Sequence, residues 1–268
     1  MTTLSCRLLK LLFVVTLYPV NSVRQAFDRH ASVYDQVFSD TQIRAEVWHI
    51  ADRLFSRGMH LLDLGCGTGQ DAIHFAQRGI NVTAVDISAE MIAQLRQKAG
   101  ESIQCKQADM RTYIPETIRF DGIFSNFGAL NCVPDLEWLR QIRLAAGSYV
   151  VLTTMGRFYP LESAVFLLKG KPRLAFRRLA RSCEAVVEGI RFNVYYHRLQ
   201  SIQRALGPGF ELRDVRGLRS LLPAPGFEHL ERFEVLRFLK PVDHWLCSHR
   251  RMAVCADHFV SVWRCRET

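Results

Sequence analysis

Residues 61–86, LLDLGCGTGQDAIHFAQRGINVTAVD, constrain this chain more than any other stretch. Leu61-Leu62-Asp63-Leu64 is a short apolar run with the length and composition of a buried parallel strand. It ends in Gly65-Cys66-Gly67-Thr68-Gly69. Ala72, Ile73, Phe75 and Ala76 then recur at helical spacing, and Gly79 supplies a stop. A second apolar run, Asn81 to Val85, closes on Asp86. Strand, glycine turn, helix and strand in this order place a nucleoside site at the C-terminal edge of a parallel sheet. Glycines let the backbone approach a ligand closely, and a carboxylate at the tip of the second strand can accept both ribose hydroxyl protons.

The spacing is G-x-G-x-G, not the G-x-G-x-x-G that seats a pyrophosphate on a helix N-terminus. Asp63, two residues before the first glycine, would repel a pyrophosphate but suits a cation such as the amino group of an amino acid. A ligand with a ribose and a cationic amino-acid tail is S-adenosylmethionine (SAM). On these residues the chain resembles the class I SAM-dependent methyltransferases of the small-molecule type. The first motif of that family is an acidic-x-G-x-G-x-G turn.

The resemblance implies an α/β fold with a doubly wound, seven-stranded, mostly parallel sheet whose last strand is antiparallel. It covers most of 24–156 and, by element order, 210–265; it does not constrain 157–209. It implies cofactor contacts at Tyr34, Asp63, Gly65, Cys66, Gly67, Gly69, Asp86, Ile87, Asp109, Met110 and Asn126. In the resembled family an acidic residue past the third strand, here Asp109, accepts the adenine amino group while the next amide meets a ring nitrogen. The Phe27-Asp28-x-x-Ala31-x-x-Tyr34-Asp35 pattern resembles the segment that closes over the cofactor in such relatives.

With 268 residues and 49% hydrophobic composition, the chain suits a single domain with a sizeable core. Its eight cysteines include no C-x-x-C spacing, which reads as reduced thiols rather than a disulfide framework. Residues 1–22 form an apolar extension, either signal-like or a misassigned start, since Arg7 and Lys10 leave only Leu11 to Val20 uncharged. The expected organisation is one methyltransferase domain over 23–268, with 157–197 inserted as a lid or substrate-binding elaboration.

In chain order, 24–56 reads as helical. Strands are expected at 102–106, 120–126, 149–154, 185–187, 190–196, 210–215 and 257–264. Helices are expected after Ser88, from Pro134 to Gly147, as a pair within 157–182, at 199–206 and at 228–239. The Pro134 helix is drawn from Leu136, Leu139, Ile142 and Leu144 on one side.

Segment 157–182 holds seven Lys or Arg against one Glu, so it carries +6 of the chain's +9. Charge this local describes the insertion, not the whole protein. It is a solvated face, or a lid that touches an anionic membrane or a greasy acidic substrate. The basic run lacks interleaved exposed aromatics and belongs to no recognised nucleic-acid module, which argues against that partner. SAM supply argues for a cytoplasmic location, peripheral to a membrane if the basic face engages one.

Methyl transfer from SAM needs alignment and water exclusion, with no metal and no covalent nucleophile. A general base helps for a hydroxyl or phenol, and His197 beside Tyr196 is the candidate. Phe127, Tyr159 and Tyr195 are candidates for lining the acceptor, and Cys132 reads as a packed thiol. His244, His249 and His258 lack a carboxylate set fitting a metal site. The expected function is therefore SAM-dependent methyl transfer to a small or lipid-like acceptor. The alternatives are a catalytically weak SAM-binding protein at a membrane surface and a NAD(P)-type oxidoreductase, the latter needing G-x-G-x-x-G.

Overall fold

Apolar runs buried on both faces are what a parallel sheet requires, and the computed structural model places four of them side by side with a polar edge strand, Gln104–Gln107. It describes residues 18–37, 41–115, 118–223, 230 and 235–266. The strands are β1 (His60–Leu64), β2 (Asn81–Asp86), β3 (Gln104–Gln107), β4 (Phe120–Ser125) and β5 (Leu144–Met155). With β8 (Phe210–Leu218) and β9 (His258–Cys265) they form a seven-stranded sheet of order β3-β2-β1-β4-β5-β9-β8. Pairing is parallel from β3 to β5, and β9 runs antiparallel to both β5 and β8. The expected sheet, including its single reversed strand, is the one observed.

Alternate side chains feed two cores. Leu62, Leu64, Ile123, Leu152 and Trp263 pack on one face with Trp138 and Ile202. Leu61, Val82, Ala84, Phe124 and Val151 pack on the other with Phe55, Phe75 and Ile92. The second core is closed by α2 (Thr41–Ala51), α3 (Gln70–Gln77) and α4 (Ala89–Ala99). Ser88 caps α4, its hydroxyl accepting from the Met91 amide at 3.1 Å, as the sequence predicts.

The helix expected from Pro134 to Gly147 is not formed. A short 3-10 turn spans Glu137–Gln141, and β5 already begins at Leu144. Leu136, Leu139 and Ile142 are buried as expected, but they recur every three residues, which is the period of a 3-10 turn. Gly147, at φ 76°, lies where β5 bulges against β4: Phe120 pairs with Leu144, and Gly122 with Tyr149. Of the regions read from sequence, 1–17 and half of the helix expected at 228–239 lie outside the described residues. The helix seen there is α8 (Val235–Ser248). Toward the N-terminus, α1 covers Val20–Val37.

The insertion folds as α5 (Pro160–Leu168), α6 (Pro172–Ala175), a 3-10 turn over Arg177–Leu179 and the hairpin β6 (Ser182–Val187)/β7 (Ile190–Tyr195). Next comes α7 (Leu199–Leu206). One buried side chain fastens the insertion to the main sheet. Arg178 donates from Nε to Glu162 Oε2 at 2.6 Å, and from Nη1 and Nη2 to the carbonyl and Oδ1 of Asp257 at 2.9 and 2.7 Å. Its guanidinium also lies 5.3 Å from the centre of the Tyr159 ring. Removing one partner of a buried ion network leaves the others uncompensated. Arg178→Ala is therefore expected to destabilise the fold by about 3–5 kcal/mol in urea unfolding; a loss below about 1 kcal/mol, the scale of an exposed pair, would contradict this anchor.

Candidate active site

The turn after β1 is left-handed at each glycine, with φ 70° at Gly65, 54° at Gly67 and 85° at Gly69. A Cβ on Gly69 would sit 2.0 Å from Leu95 Cδ1, so this glycine lets α4 pack onto the turn. A Cβ on Gly67 would instead face the Tyr34 ring at 3.5 Å. Asp86 fixes the turn: its Oδ2 accepts from the Gly67 amide and its Oδ1 from the Ser88 amide, each at 2.9 Å. Burial pushes the Asp86 carboxyl above its usual range, against the pull of these amides.

Above the turn lies a cavity of about 360 Å3. Its floor is Gly65, Gly67, Asp86 and Ile87, and one wall is the loop from Asn126 to Asn131. Val23, Phe27 and Tyr34 of α1 roof it together with Val187, Phe192 and Val194 of the hairpin. Helix and hairpin are joined by His30 Nδ1 to Glu188 Oε1 at 2.9 Å and by the Phe27 and Phe192 rings at 5.9 Å. An adjoining cavity of about 420 Å3 continues past Met110 to Asp109, Val133 and Tyr195.

Tyr34, Gly65, Gly67, Asp86, Ile87, Met110, Asn126 and Phe127 thus meet around one cavity, and Asp109 and Tyr195 line its extension. Asp63 and Cys66 are buried behind this surface. Both Asp109 oxygens face the Arg111 guanidinium, at 2.6–3.1 Å, so Asp109 meets a ligand only with its remaining lone pairs. Cys132 lines the cavity as a neutral thiol, burial pushing it up to about 12.

Three expected residues go elsewhere. Tyr159 is buried with its hydroxyl donating to the Leu222 carbonyl at 2.6 Å. Tyr196 and His197 line a different cavity. The Tyr196 hydroxyl meets Cys183 Sγ at 3.1 Å, and burial raises the phenol further from ionising. His197 Nε2 lies 3.0 and 3.1 Å from the carbonyls of Leu130 and Val133. That nitrogen must carry the proton and donate, and burial favours the neutral ring. It braces the turn Ala129–Cys132 from behind instead of facing the cavity.

Two groups that sequence reasoning missed bear on the site, one packed behind the Phe127 ring and one on the cavity lining itself. The first comes from α2. Arg44 Nη1 pairs with Asp71 Oδ2 at 2.6 Å, and its guanidinium lies 4.3 Å from the centre of the Phe127 ring. Trp48 Nε1 donates to Asp71 Oδ1 at 2.7 Å, and the Asn126 amide donates to the same carboxylate at 3.3 Å. Asp63 and Asp71 are both buried here with Arg44 as their counter-charge, close to the half-buried Asp86. Asp63 Oδ2 and Arg44 Nε are both buried without a hydrogen-bond partner. Burial, then the neighbouring charge of Asp71, raises the Asp63 carboxyl well above its usual range, and Arg44 offsets only part of this. An arginine set between the buried Ile43 and Val47 was the available signal.

The second group is Asp257-His258 at the start of β9. His258 Nδ1 donates to Asp257 Oδ2 at 2.7 Å, while Nε2 is 3.3 Å from where a Cβ on Gly128 would lie, at the cavity wall. Burial works against ionised Asp257, but His258 and Arg178 outweigh it and hold the carboxyl well below the usual range. The Nδ1–H···Oδ2 bond leaves Nε2 of a neutral ring free to accept a proton. Among the described residues no group of His, Cys, Asp and Glu has a metal-binding arrangement.

The family model described as a methyltransferase domain matches residues 61–147. A malonyl-[acyl-carrier protein] O-methyltransferase of Pectobacterium atrosepticum is 40% identical over 81 residues, covering 30% of this chain and 32% of that protein. A demethylmenaquinone methyltransferase of Symbiobacterium thermophilum is 34% identical over 159 residues, 53% of this chain and 59% of the relative. The chain thus spans about a third to three-fifths of the length of these curated relatives. The CcbJ methyltransferase of Streptomyces caelestis shares the fold with a TM-score of 0.61 at 19% identity, over 93% of this chain and all of that one. So does a Burkholderia thailandensis 1,6-didemethyltoxoflavin-N1-methyltransferase solved with S-adenosylhomocysteine, with a TM-score of 0.57 at 17% identity over 95% and 94% of the two chains.

A carboxylate whose folded pKa is raised favours the folded state at low pH and loses that contribution as pH rises through the folded value. For Asp63 the unligated fold is therefore strained at neutral pH. Asp63→Asn is expected to stabilise the unligated protein at pH 7 by about 1–3 kcal/mol, the gap closing as pH falls towards the unfolded value of about 4. Equal stability of variant and wild type across that range would show that Asp63 bears no such strain.

Proposed function

The chain carries a class I, Rossmann-like methyltransferase domain, and on that premise we propose that it transfers a methyl group from SAM to a small or lipid-like acceptor. One observation carries the reading. Beside a ribose-ready carboxylate, two buried atoms of opposite charge, Asp63 Oδ2 and Arg44 Nε, stand without partners. They match the ammonium and carboxylate of an α-amino-acid tail, and the surplus of buried carboxylates suits a ligand that also bears a sulfonium. When bound, SAM supplies a methyl group already activated by its sulfonium leaving group.

The chain's own residues then divide the work. Asp86 accepts the ribose hydroxyls, and Asp109 with Met110 frames the adenine end. Phe27, Tyr34 and Phe192 exclude water from the cavity. At the other end His258 takes the acceptor's proton at Nε2, while Asp257 holds the ring and stabilises the imidazolium. Phe127, Met155 and Val194 line the cavity there beside Arg177, Arg178 and Asp257, and this apolar surface favours a greasy acceptor. The relatives' names range from malonyl-[acyl-carrier protein] to demethylmenaquinone, in keeping with this class.

Calorimetry with S-adenosylhomocysteine tests the cofactor reading. Asp86→Ala and Arg44→Gln are each expected to weaken binding about tenfold or more, the scale of a charge-assisted hydrogen bond. Unchanged affinity in both would overturn it. Labelled SAM offered to metabolite and lipid extracts should mark an acceptor. With that acceptor His258→Asn is expected to lower kcat by about 100-fold or more without altering S-adenosylhomocysteine affinity. Full turnover in His258→Asn removes the base, and binding without any turnover favours the weak SAM-binding alternative.

A second observation concerns location. At the tip of the insertion Leu167, Leu168, Leu174, Phe176 and Leu179 are exposed, Leu168 at 89%, among Lys169, Lys171 and Arg173. Among the described residues no helix is long and apolar enough to cross a membrane. The reading is a cytoplasmic enzyme whose tip dips into the face of an anionic bilayer. The chain should sediment with phosphatidylglycerol vesicles and not with phosphatidylcholine ones, and a Leu167→Ser/Leu168→Ser variant should remain in the supernatant. Equal behaviour of variant and wild type would remove the membrane contact.

A further inference from the structure

Behind the turn that walls the cofactor cavity lies a second cavity, of about 410 Å3. Four arginines line it: Arg157 after β5, Arg181 ahead of β6, Arg198 at the cap of α7 and Arg204 within α7. Among the described residues no ion pair involves any of the four, although thirteen ion pairs occur elsewhere. The acids on the lining, Asp135 and Glu137, lie outside ion-pair distance of them. Arg157 is the innermost by its contacts. One terminal nitrogen donates to the Leu179 carbonyl, while its Nε is buried with no partner. Burial and the nearby charge of Arg198 both disfavour its ionised form.

Like charges gathered without counter-charge cost free energy, more so where one is partly desolvated. Such a cluster is stabilised by an anion, and the planar fork of a guanidinium fits phosphate oxygens in pairs. Ser201 and Tyr195, each bearing a hydroxyl, line the same space. We propose that this cavity binds the phosphoryl group of a small phosphorylated ligand, with Arg157 and Arg198 as its principal holders. The volume exceeds that of a bare phosphate ion, so part of the esterified molecule enters with it. The site is separate from the methyl-transfer cavity, meeting only its extension, at Pro134 and Tyr195. It therefore stands whether or not the methyltransferase reading holds.

The test is titration calorimetry of the full chain with inorganic phosphate and with pyrophosphate, at fixed ionic strength in chloride. Saturable binding at one site is expected. Arg157→Gln/Arg198→Gln should weaken it by about tenfold or more, and Arg157→Lys/Arg198→Lys should recover part of the loss. Near-UV circular dichroism reports whether each variant is folded. If the Arg157 variants are not, Arg198→Gln/Arg204→Gln, altering two exposed side chains, carries the same expectation. No saturable heat from either anion overturns the proposal. So does equal binding by a folded glutamine variant, which would mean an adventitious ion only.

Discussion

Three carboxylates crowd the C-terminal edge of the sheet: Asp63 and Asp71 buried, with Arg44 against Asp71, and Asp86 half-buried on the cavity floor. A buried charge must be paired, hydrogen-bonded or neutralised, and much of the local structure answers that demand. Asp86 draws the Gly67 and Ser88 amides, shaping the glycine turn. Asp71 gathers Arg44 and Trp48 from α2 and Asn126 from the end of β4, which docks α2 against the sheet. Asp63 is left short of partners. The edge holds more carboxylate than counter-charge, and the excess falls on Asp63.

A second ion chain runs from Glu162 through Arg178 and Asp257 to His258. It fastens the insertion to the start of β9 and, in the same set of bonds, orients the His258 imidazole at the cavity wall. The attachment of the insertion and the orientation of His258 thus share their supports. The insertion also gives the hairpin that roofs the cavity with α1, and its arginines Arg157 and Arg181 help line the cavity behind the turn.

Much of this was legible from residues close together in the chain. The strand, turn, helix and strand of 61–86, the Ser88 cap and the reversed last strand came out as read. The misread helix after Pro134 shows the limit: Leu136, Leu139 and Ile142 are correctly internal, but three buried positions cannot separate a 3.6 period from a 3-10 turn. His197 and His258 show a deeper one. His197 drew notice for its tyrosine neighbours, yet it points at two carbonyls 64 and 67 residues away. His258 follows its partner Asp257 directly in sequence, but its role depends on Gly128 and Arg178.

The sequence by itself determined the sheet, the glycine turn and the carboxylate at the tip of β2, because strand burial, turn conformation and a strand-end residue are set within a few residues. The tertiary structure alone decided which of the arginines and histidines face the site. A charged side chain acquires its role from partners brought by distant elements, and no local pattern encodes where those partners stand.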